Sequence, residues 1–269
     1  MDLLSAAILG VVQGLTEFLP VSSSGHVILA RAFFEWDLGR FGLPFDAACH
    51  VGTLLAVVIH FRREVMRLLA AAPGAVIGRD GEFERLGRLI IVATIPIVIV
   101  GGLFADVIEA RIRTPLVVAV NLVAGGVLLM WADRLTRRGR EPGTLGYGEA
   151  LALGVAQAGA LAPGMSRSGL TLSMAFYLGL RRETAARFVF VMSLPAVLAV
   201  AVKESWDLRE VGMAGLPVTI LVVGLVTSAV VGYVTVKYFI RYLASHSLDV
   251  FAYYRFALAA VTVVWLLAR

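Results

Sequence analysis

Charged residues are scarce in this sequence, which argues against a soluble globular fold. Asp, Glu, Lys and Arg make up 16% of the 269 residues and hydrophobic residues 59%, whereas a soluble domain is roughly 25% charged. The mean hydropathy is +0.86. Because the few charges cluster in short segments, long apolar runs remain between them, as in an integral membrane protein.

Cysteine and the familiar cofactor motifs are also lacking. The single Cys49 excludes an internal disulfide, and its apolar surroundings indicate a packing role. No segment matches a Walker loop, a zinc-ligand cluster or a dinucleotide-binding fingerprint. The first residues lack a basic stretch and a small-residue cleavage site, so we expect no signal peptide to be removed.

Six continuous apolar runs approach the roughly 20 residues that a membrane-spanning helix needs. They are residues 45–61, 89–109, 115–133, 184–203, 216–240 and 250–268. Since hydrophobicity does not alternate along them, they predict α-helices rather than the strands of a closed barrel. The predicted fold is an all-α integral membrane protein, a single membrane domain over 1–269 with six transmembrane helices.

A polar motif occurs twice in the chain, at an offset of 144 residues. Leu-Gly-Val-x-Gln at 9–13 is followed by Ser-x-Ser-Gly at 22–25. The same two patterns recur at 153–157 and 166–169. A duplication accounts for this match better than coincidence does.

Each copy of the motif lies between two apolar arms that are too short to cross a membrane comfortably. The arms cover 3–19 and 24–34 in the first copy, and 149–162 and 168–179 in the second. Short, Gly/Pro-interrupted segments at matching places predict re-entrant helical hairpins whose polar tips line a cavity near the bilayer midplane. The predicted architecture is therefore an inverted repeat of residues 1–134 and 147–269.

The net charge of +5 is better explained by basic cytoplasmic loops of a membrane protein than by a nucleic-acid partner. Arginines concentrate in segments 62–88, 134–140 and 181–187, and such basic clusters mark cytoplasmic loops. If each hairpin enters and leaves on one side, all three segments fall on one face and the two hairpins enter from opposite faces. Both termini are then predicted to lie outside.

The first tip gathers groups that suit hydrolysis. Glu17 lies in an apolar arm, where an unpaired charge is costly, and Gln13 shares its helix face. The serines Ser22 to Ser24 precede His26. A carboxylate, hydroxyls and an imidazole at one tip supply a nucleophile and acid–base groups. The alternative is structural, because serines cap helices and intramembrane Glu or His can hold helices together.

The second tip carries Arg167, the only charge between Glu149 and Arg181. A buried guanidinium needs an anion, and its planar fork suits phosphate. Neighbouring glycines and hydroxyls leave backbone N–H groups free at a helix start, where the helix dipole also favours an anion. These features predict a phosphate cradle. A structural Arg167–Glu17 salt bridge is the alternative, and both can hold without a ligand.

Other polar or small residues lie within the apolar runs. We expect His50 to be a structural histidine, although it could face the cavity. Asn121 and Arg255 are expected to face the bundle interior. The pairs Gly101-Gly102 and Gly125-Gly126 indicate close helix packing.

The motifs resemble those of a known family. Gln13-x-x-x-Glu17, Pro-Val-Ser-Ser-Ser-Gly-His at 20–26 and Pro-Gly-Met-Ser-Arg-Ser-Gly-Leu-Thr at 163–171 are similar to undecaprenyl-diphosphate phosphatases of the BacA/UppP type. The likeness covers almost the whole chain and includes Tyr254-Arg255-Phe256. It implies hydrolysis of undecaprenyl diphosphate to undecaprenyl phosphate in the bacterial inner membrane, which recycles the cell-wall lipid carrier. It also implies bacitracin resistance on overexpression.

The resemblance further implies a divalent cation, Mg²⁺ or Ca²⁺. The first motif of the family begins with Glu or Gln, and this sequence has Gln13. Glu17 is thus the one candidate metal ligand, since no second carboxylate lies at this tip.

Site roles combine the resemblance with residue chemistry, and the candidate catalytic residues are Glu17, Ser23, His26 and Arg167. Arg167 would hold the diphosphate, His26 would activate the serine or protonate the leaving phosphate, and Glu17 would orient His26, bind the ion or position water. Ser23 is the nucleophile by correspondence with the family; the sequence alone does not separate it from its two neighbours, and direct attack by water stays open. Substrate-binding groups are predicted at Gln13, Ser22, Ser24, Gly25, Gly164, Ser166, Ser168, Gly169 and Thr171.

A transporter or lipid flippase is the alternative function, because inverted repeats with broken helices are common among secondary transporters. Transport needs only binding, whereas hydrolysis also needs the nucleophile and acid–base groups found at the first tip. The predicted partners are undecaprenyl diphosphate and membrane lipids, and a homodimer is one option for assembly. The site is expected to open towards the periplasm.

Overall fold

A computed structural model describes residues 2–36, 41–135, 139–211 and 217–269, which are mainly helical. The helices are α1 (Asp2–Thr16), α2 (Ser23–Phe34), α3 (Leu43–His60), α4 (Arg62–Val76), α5 (Glu82–Arg111), α6 (Pro115–Leu135), α7 (Tyr147–Gly159), α8 (Arg167–Tyr177), α9 (Arg182–Val211), α10 (Val218–Leu243) and α11 (Asp249–Leu267). Within these ranges, extended pairing is confined to an isolated bridge between Arg140 and Leu180.

The long helices confirm the all-α membrane fold. Five of the described helices contain a stretch long and apolar enough to cross a bilayer: Glu82–Phe104, Pro115–Leu135, Arg182–Lys203, Val218–Leu243 and Asp249–Leu267. Large apolar side chains such as Ile99, Val120 and Leu198 are exposed on them. Apolar surface of this extent is expected to face lipid rather than water.

The first predicted span differs from the others, because it is one limb of a bent pair. The helices Pro44–His60 and Arg62–Val76 meet at 88° around Phe61. Phe61 is buried, whereas Arg62 and Arg63, which begin α4, are exposed. The chain therefore turns away from the axis of the apolar helix α3 at the point where the arginines of α4 begin.

Two short hairpins match the predicted arms closely. Helices α1 and α2 have 15 and 12 residues, and α7 and α8 have 13 and 11. Each is shorter than the roughly 20 residues needed to span a bilayer. The helices of both hairpins are thus too short to span a bilayer, as a re-entrant hairpin requires; re-entry itself stays a prediction.

The two hairpin tips have equivalent local geometry. Ser22 and Ser166 both have left-handed backbones, with φ of 75° and 70°. Each caps the following helix, since Ser22 Oγ accepts from Gly25 N at 3.3 Å and Ser166 Oγ from Gly169 N at 3.1 Å. The sequence repeat is therefore a repeat of local structure. The opposite orientation of the two halves stays a prediction.

Glycines at equivalent positions bring each hairpin close to a long helix of the other half. A Cβ on Gly10 would lie 2.9 Å from the Gly224 carbonyl oxygen of α10. At the matching Gly154, it would lie 2.5 Å from the Ala93 carbonyl oxygen of α5. Only glycine permits these approaches.

The two predicted glycine pairs have different outcomes. A Cβ on Gly125 would lie 2.0 Å from Arg255 Nη2, so close packing is confirmed there. A Cβ on Gly101 would make only an ordinary contact at 3.9 Å, with Leu161, and a Cβ on Gly102 would meet no other described element within 4 Å. The prediction for Gly101-Gly102 is wrong, because this part of α5 faces away from its neighbours.

Basic segments from three parts of the chain meet at one end of the bundle. Arg187 contacts Glu64 at 2.5 Å, and Arg85 donates to the Leu145 carbonyl at 2.8 Å. Arg140 pairs with Glu149 at 2.7 Å. Arg85, Arg140 and Arg187 therefore lie at one end, as the predicted clustering requires; Arg137 and Arg138 lie outside the described residues.

Candidate active site

A cavity of about 120 Å³ lies between the two hairpin tips. The first tip lines it with Glu17 and the serines Ser22, Ser23 and Ser24, and the second with Ser166 and Arg167. A further wall is apolar and comes from α5 and α9, through Ile97, Val197 and Val200. The cavity thus combines a polar end with a side suited to a lipid.

Glu17 joins the two tips, because both of its carboxylate oxygens are engaged. Its Oε1 forms a salt bridge with Arg167. Its Oε2 accepts from Ser23 Oγ at 2.6 Å and from Gln13 Nε2 at 3.0 Å. Glu17 is only 8% exposed, so these partners compensate a charge that would otherwise be costly to bury. The salt bridge considered from the sequence is present in the ligand-free protein.

The three serines of the first tip have different surroundings. Ser22 Oγ caps α2 through Gly25 N, and Ser24 is exposed, its Oγ 3.4 Å from that of Ser22. Ser23 alone among them donates to the Glu17 carboxylate. A hydroxyl bonded to a carboxylate is the arrangement expected of an activated nucleophile.

His26 pairs with Tyr254, a residue to which the sequence assigned no role. Its Nε2 lies 2.7 Å from Tyr254 Oη and its Nδ1 2.7 Å from the Ser22 carbonyl oxygen. The two rings are stacked, with planes 4° apart. His26 is not among the side chains that line the cavity. The two ring nitrogens of His26 therefore connect the first tip to α11, one through Tyr254 and the other through the Ser22 carbonyl.

Some residues of the predicted phosphate cradle line the cavity, and others hold the tips in place. Ser166 and Arg167 line the cavity. Ser168 Oγ donates to the Leu19 carbonyl at 2.9 Å, which ties the second tip to the first. Thr171 Oγ1 donates to the Arg167 carbonyl at 2.6 Å. These last two hydroxyls stabilise the tips and position Arg167.

Gly164 and Gly25 allow the tips to approach each other. Gly164 has a φ of 95°, which favours glycine. A Cβ there would also lie 2.6 Å from the Val118 carbonyl oxygen. On Gly25 an added Cβ would be 3.4 Å from Gly164 Cα. Gly25 and Gly164, which were predicted to bind substrate, therefore shape the site through their backbone. Gly169 does the same through the amide that Ser166 caps.

Arg255 lies in the bundle interior, as predicted, and donates hydrogen bonds to both hairpin tips. It is fully buried. It donates to the Pro20 carbonyl of the first tip at 3.2 Å and to the Gly164 carbonyl of the second at 2.9 Å. Further carbonyl acceptors are Leu122, Asn121 and Met165. Asn121 adds a bond from Nδ2 to the Pro163 carbonyl at 2.8 Å. Arg255 thus links the two tips, and Asn121 holds the second tip against α6.

Two further polar residues line the cavity, His50 and Gln157. His50 comes from α3, and its place on the wall is the alternative that the sequence left open beside a structural role. Sequence reasoning missed Gln157. Gln157 comes from α7 at the position that matches Gln13 in the repeat. The presence of a glutamine at the same position in both copies of the repeat could have identified Gln157 as a site residue.

A protein-only metal site is not formed by the described residues. They contain no group of three or more His, Cys, Asp or Glu side chains arranged to hold an ion. Among the residues that the structure describes, Glu17 is the only carboxylate on the cavity wall. Mg²⁺ is commonly held by one or two carboxylates together with substrate phosphates and water. The donor set fits an ion that binds together with a phosphorylated ligand.

Comparison with known proteins agrees with the sequence motifs and the cavity. A sequence model of the family described as bacitracin resistance protein BacA matches residues 6–261. The chain is 45% identical to an undecaprenyl-diphosphatase of Rubrobacter xylanophilus over 270 aligned positions, covering 99% of both chains. It is 42% identical to an undecaprenyl-diphosphatase of Moorella thermoacetica, again over 99% of both chains. This chain therefore belongs to the BacA family.

Proposed function

We propose that this protein hydrolyses undecaprenyl diphosphate to undecaprenyl phosphate and inorganic phosphate. The observation that carries the proposal is the meeting of Arg167 and the Ser23–Glu17 pair, from two hairpins, in one cavity of a membrane protein. Its relatives at 45% and 42% identity carry the name of this activity. In a bacterium, the reaction would recycle the lipid carrier of the cell wall.

The first step transfers the terminal phosphoryl group to Ser23. Arg167 turns from Glu17 to the diphosphate and neutralises the charge that develops on its oxygens. Its departure frees Glu17 to take the Ser23 proton. A bond forms between Ser23 Oγ and the terminal phosphorus as the bond from that phosphorus to the bridging oxygen breaks. Glu17 passes the proton on to the bridging oxygen, and undecaprenyl phosphate leaves.

The second step releases phosphate. Water attacks the phosphorus of the phosphoserine, the bond to Ser23 Oγ breaks, and one water proton restores the hydroxyl. The polar end of the cavity holds the phosphates while the apolar wall from α5 and α9 suits the polyprenyl chain. Within this scheme His26 positions the serine tip through its bond to the Ser22 carbonyl.

A divalent cation, Mg²⁺ or Ca²⁺, is part of this proposal. Glu17 would hold it, with diphosphate oxygens and water as the remaining ligands. When bound, the ion would withdraw charge from the phosphate oxygens. Because Arg167 and Ser23 both contact the Glu17 carboxylate, binding of the ion should require that the diphosphate draw Arg167 away.

The direct test is phosphate release from undecaprenyl diphosphate by the purified protein in detergent. We expect release with Mg²⁺ or Ca²⁺ and its loss when a chelator removes both ions. Undecaprenyl phosphate serves as the control lipid and should release no phosphate. A protein that binds the diphosphate yet releases no phosphate under any divalent-ion condition would be a carrier or flippase instead.

We also propose a location in the bacterial inner membrane with the site open to the periplasm. The basic end formed by Arg85, Arg140 and Arg187 supports a cytoplasmic position for that face. Both termini would then lie outside, and a tag after Arg269 should react with antibody on intact spheroplasts. A tag that reacts only after permeabilisation would reverse this topology. A homodimer stays a prediction.

A further inference from the structure

Gln157 is a buried polar residue on the cavity wall that the proposed chemistry leaves unused. It has no exposed surface and lines the cavity together with Ser166 and Arg167. Its Nε2 donates to the Ala93 carbonyl of α5 at 3.5 Å. Its Oε1 is buried and accepts no hydrogen bond from the described residues. A buried acceptor without a donor destabilises a protein, so such an atom calls for an explanation.

The equivalent residue of the first hairpin shows what Gln157 lacks. Gln13 donates to Glu17, four residues later on the same helix face. The position four residues after Gln157 is Leu161, which has no polar atom in its side chain. The acid has thus no counterpart in the second copy, whereas the glutamine is present in both.

The orientation of the Gln157 amide follows from its neighbour. Reversing the amide would set Oε1 against the Ala93 carbonyl oxygen, and two acceptors repel. The carbonyl end is therefore the one free to meet a ligand. Phosphate oxygens are themselves acceptors when ionised, so a hydrogen-bond donor other than the diphosphate must satisfy Oε1. Water is the donor that hydrolysis supplies.

We infer that Gln157 is a water-positioning residue of the proposed phosphatase, and this inference rests on the proposed function. Its Oε1 accepts one hydrogen bond from the attacking water and turns the water's lone pair towards phosphorus. As the new phosphorus–oxygen bond forms, the bond to Ser23 Oγ breaks and the second water proton passes to that oxygen. Positioning of water by a glutamine is an established device in phosphoryl transfer.

The test compares Gln157→Met, Gln157→Glu and Ser173→Ala in detergent-purified protein. Methionine keeps the reach of glutamine but has no strong acceptor, whereas glutamate retains an acceptor oxygen. Ser173→Ala is the matched control. Ser173 Oγ is also buried and has no hydrogen-bond partner among the described residues, but Ser173 lines a separate apolar groove with Met174 and Tyr177. Melting temperatures establish that each variant is folded.

We expect Gln157→Met to lower kcat by about tenfold or more, with KM within about twofold of wild type. Its affinity for a non-hydrolysable methylene-bridged diphosphate analogue should stay unchanged, since Gln157 meets water rather than the lipid. Gln157→Glu should have a higher kcat than Gln157→Met, and Ser173→Ala should match wild type.

Three results would overturn the inference. They are a wild-type kcat in Gln157→Met, a loss of analogue affinity as large as the loss of kcat, and a Gln157→Glu variant no faster than Gln157→Met. If Gln157→Met does not fold, the comparison of Gln157→Glu with wild type decides, and a Gln157→Glu enzyme without turnover counts against the role. Each leaves wild-type phosphate release intact, so failure here is distinct from failure of the proposed function.

Discussion

Replacing Arg167 with alanine should lower kcat for phosphate release by about 10³-fold or more, the range for an arginine that stabilises phosphoryl transfer. Of the arginines in the described part of the chain, Arg167 alone lines the cavity. Without it the developing charge on the phosphate oxygens loses its fixed partner, and Glu17 repels the diphosphate. Both effects raise the barrier, and KM should rise as well.

Two further variants separate the chemistry of Arg167 from its charge. Arg167→Lys retains the charge but not the planar fork, so it should recover only a small part of the lost kcat. Arg63→Ala removes an exposed arginine from α4 and should leave kcat unchanged. Phosphate release and melting temperature are measured for all three. Near-normal turnover by folded Arg167→Ala protein would contradict the assigned role.

A loss of stability alone is a competing explanation, and the Glu17 contact allows it to be tested. Removing Arg167 leaves the buried Glu17 carboxylate without its cation, which is destabilising. The double variant Glu17→Gln with Arg167→Ala relieves that charge. It should regain melting temperature relative to Arg167→Ala without regaining turnover, because the phosphate-binding group is still missing.

The parts of the site that the sequence predicted are those encoded within one hairpin. Glu17 and Ser23 are six residues apart at one tip, and Ser166 caps its own helix at Gly169. Local spacing and helix-start chemistry are sufficient to place such groups. The Arg167–Glu17 contact was also accessible, since two isolated charges in an apolar chain have few other partners.

The parts that the sequence did not predict depend on helices distant along the chain. His26 and Tyr254 are 228 positions apart, and their contact follows from how α11 packs behind the first tip. Arg255 could be assigned to the interior, but its five carbonyl acceptors are set by tertiary packing. Likewise, Gly102 has the pattern of a packing glycine, yet none of the described helices would lie within 4 Å of a Cβ added there. Periodicity identifies an element but not its neighbour.

The nearly right-angled bend at Phe61 was not predicted from the sequence, for a different reason. The run 45–61 meets the composition of a span, and the arginines that follow it suggest an ordinary cytoplasmic end. The chain instead continues as α4 at 88° to α3. A helix that begins with Arg62 and Arg63 suits the membrane interface better than the apolar core, but hydropathy alone does not fix its direction.

Ser23→Ala should also reduce kcat by about 10³-fold or more, as expected when a nucleophile is removed and binding is retained. The structure distinguishes Ser23 from its neighbours through the 2.6 Å hydrogen bond to Glu17. Ser22 caps a helix, so Ser22→Ala should cost about 1 kcal/mol of stability and much less activity. Ser24→Ala, at the exposed position, should cost about tenfold at most. Phosphate release and melting curves give all three comparisons.

Trapping the phosphoenzyme decides what the loss in Ser23→Ala means. Acid quenching of wild-type protein during turnover should yield a phosphorylated peptide that contains Ser23, and mass spectrometry should find none in Ser23→Ala. If Ser24→Ala or Ser22→Ala abolishes the adduct while Ser23→Ala retains it, the nucleophile is the other serine. If Ser23→Ala is inactive and wild type never carries phosphate, water attacks the diphosphate directly. Ser23 then serves as a hydrogen-bond donor that holds Glu17 in place, and the two carboxylate contacts of Glu17 become the means of orienting water.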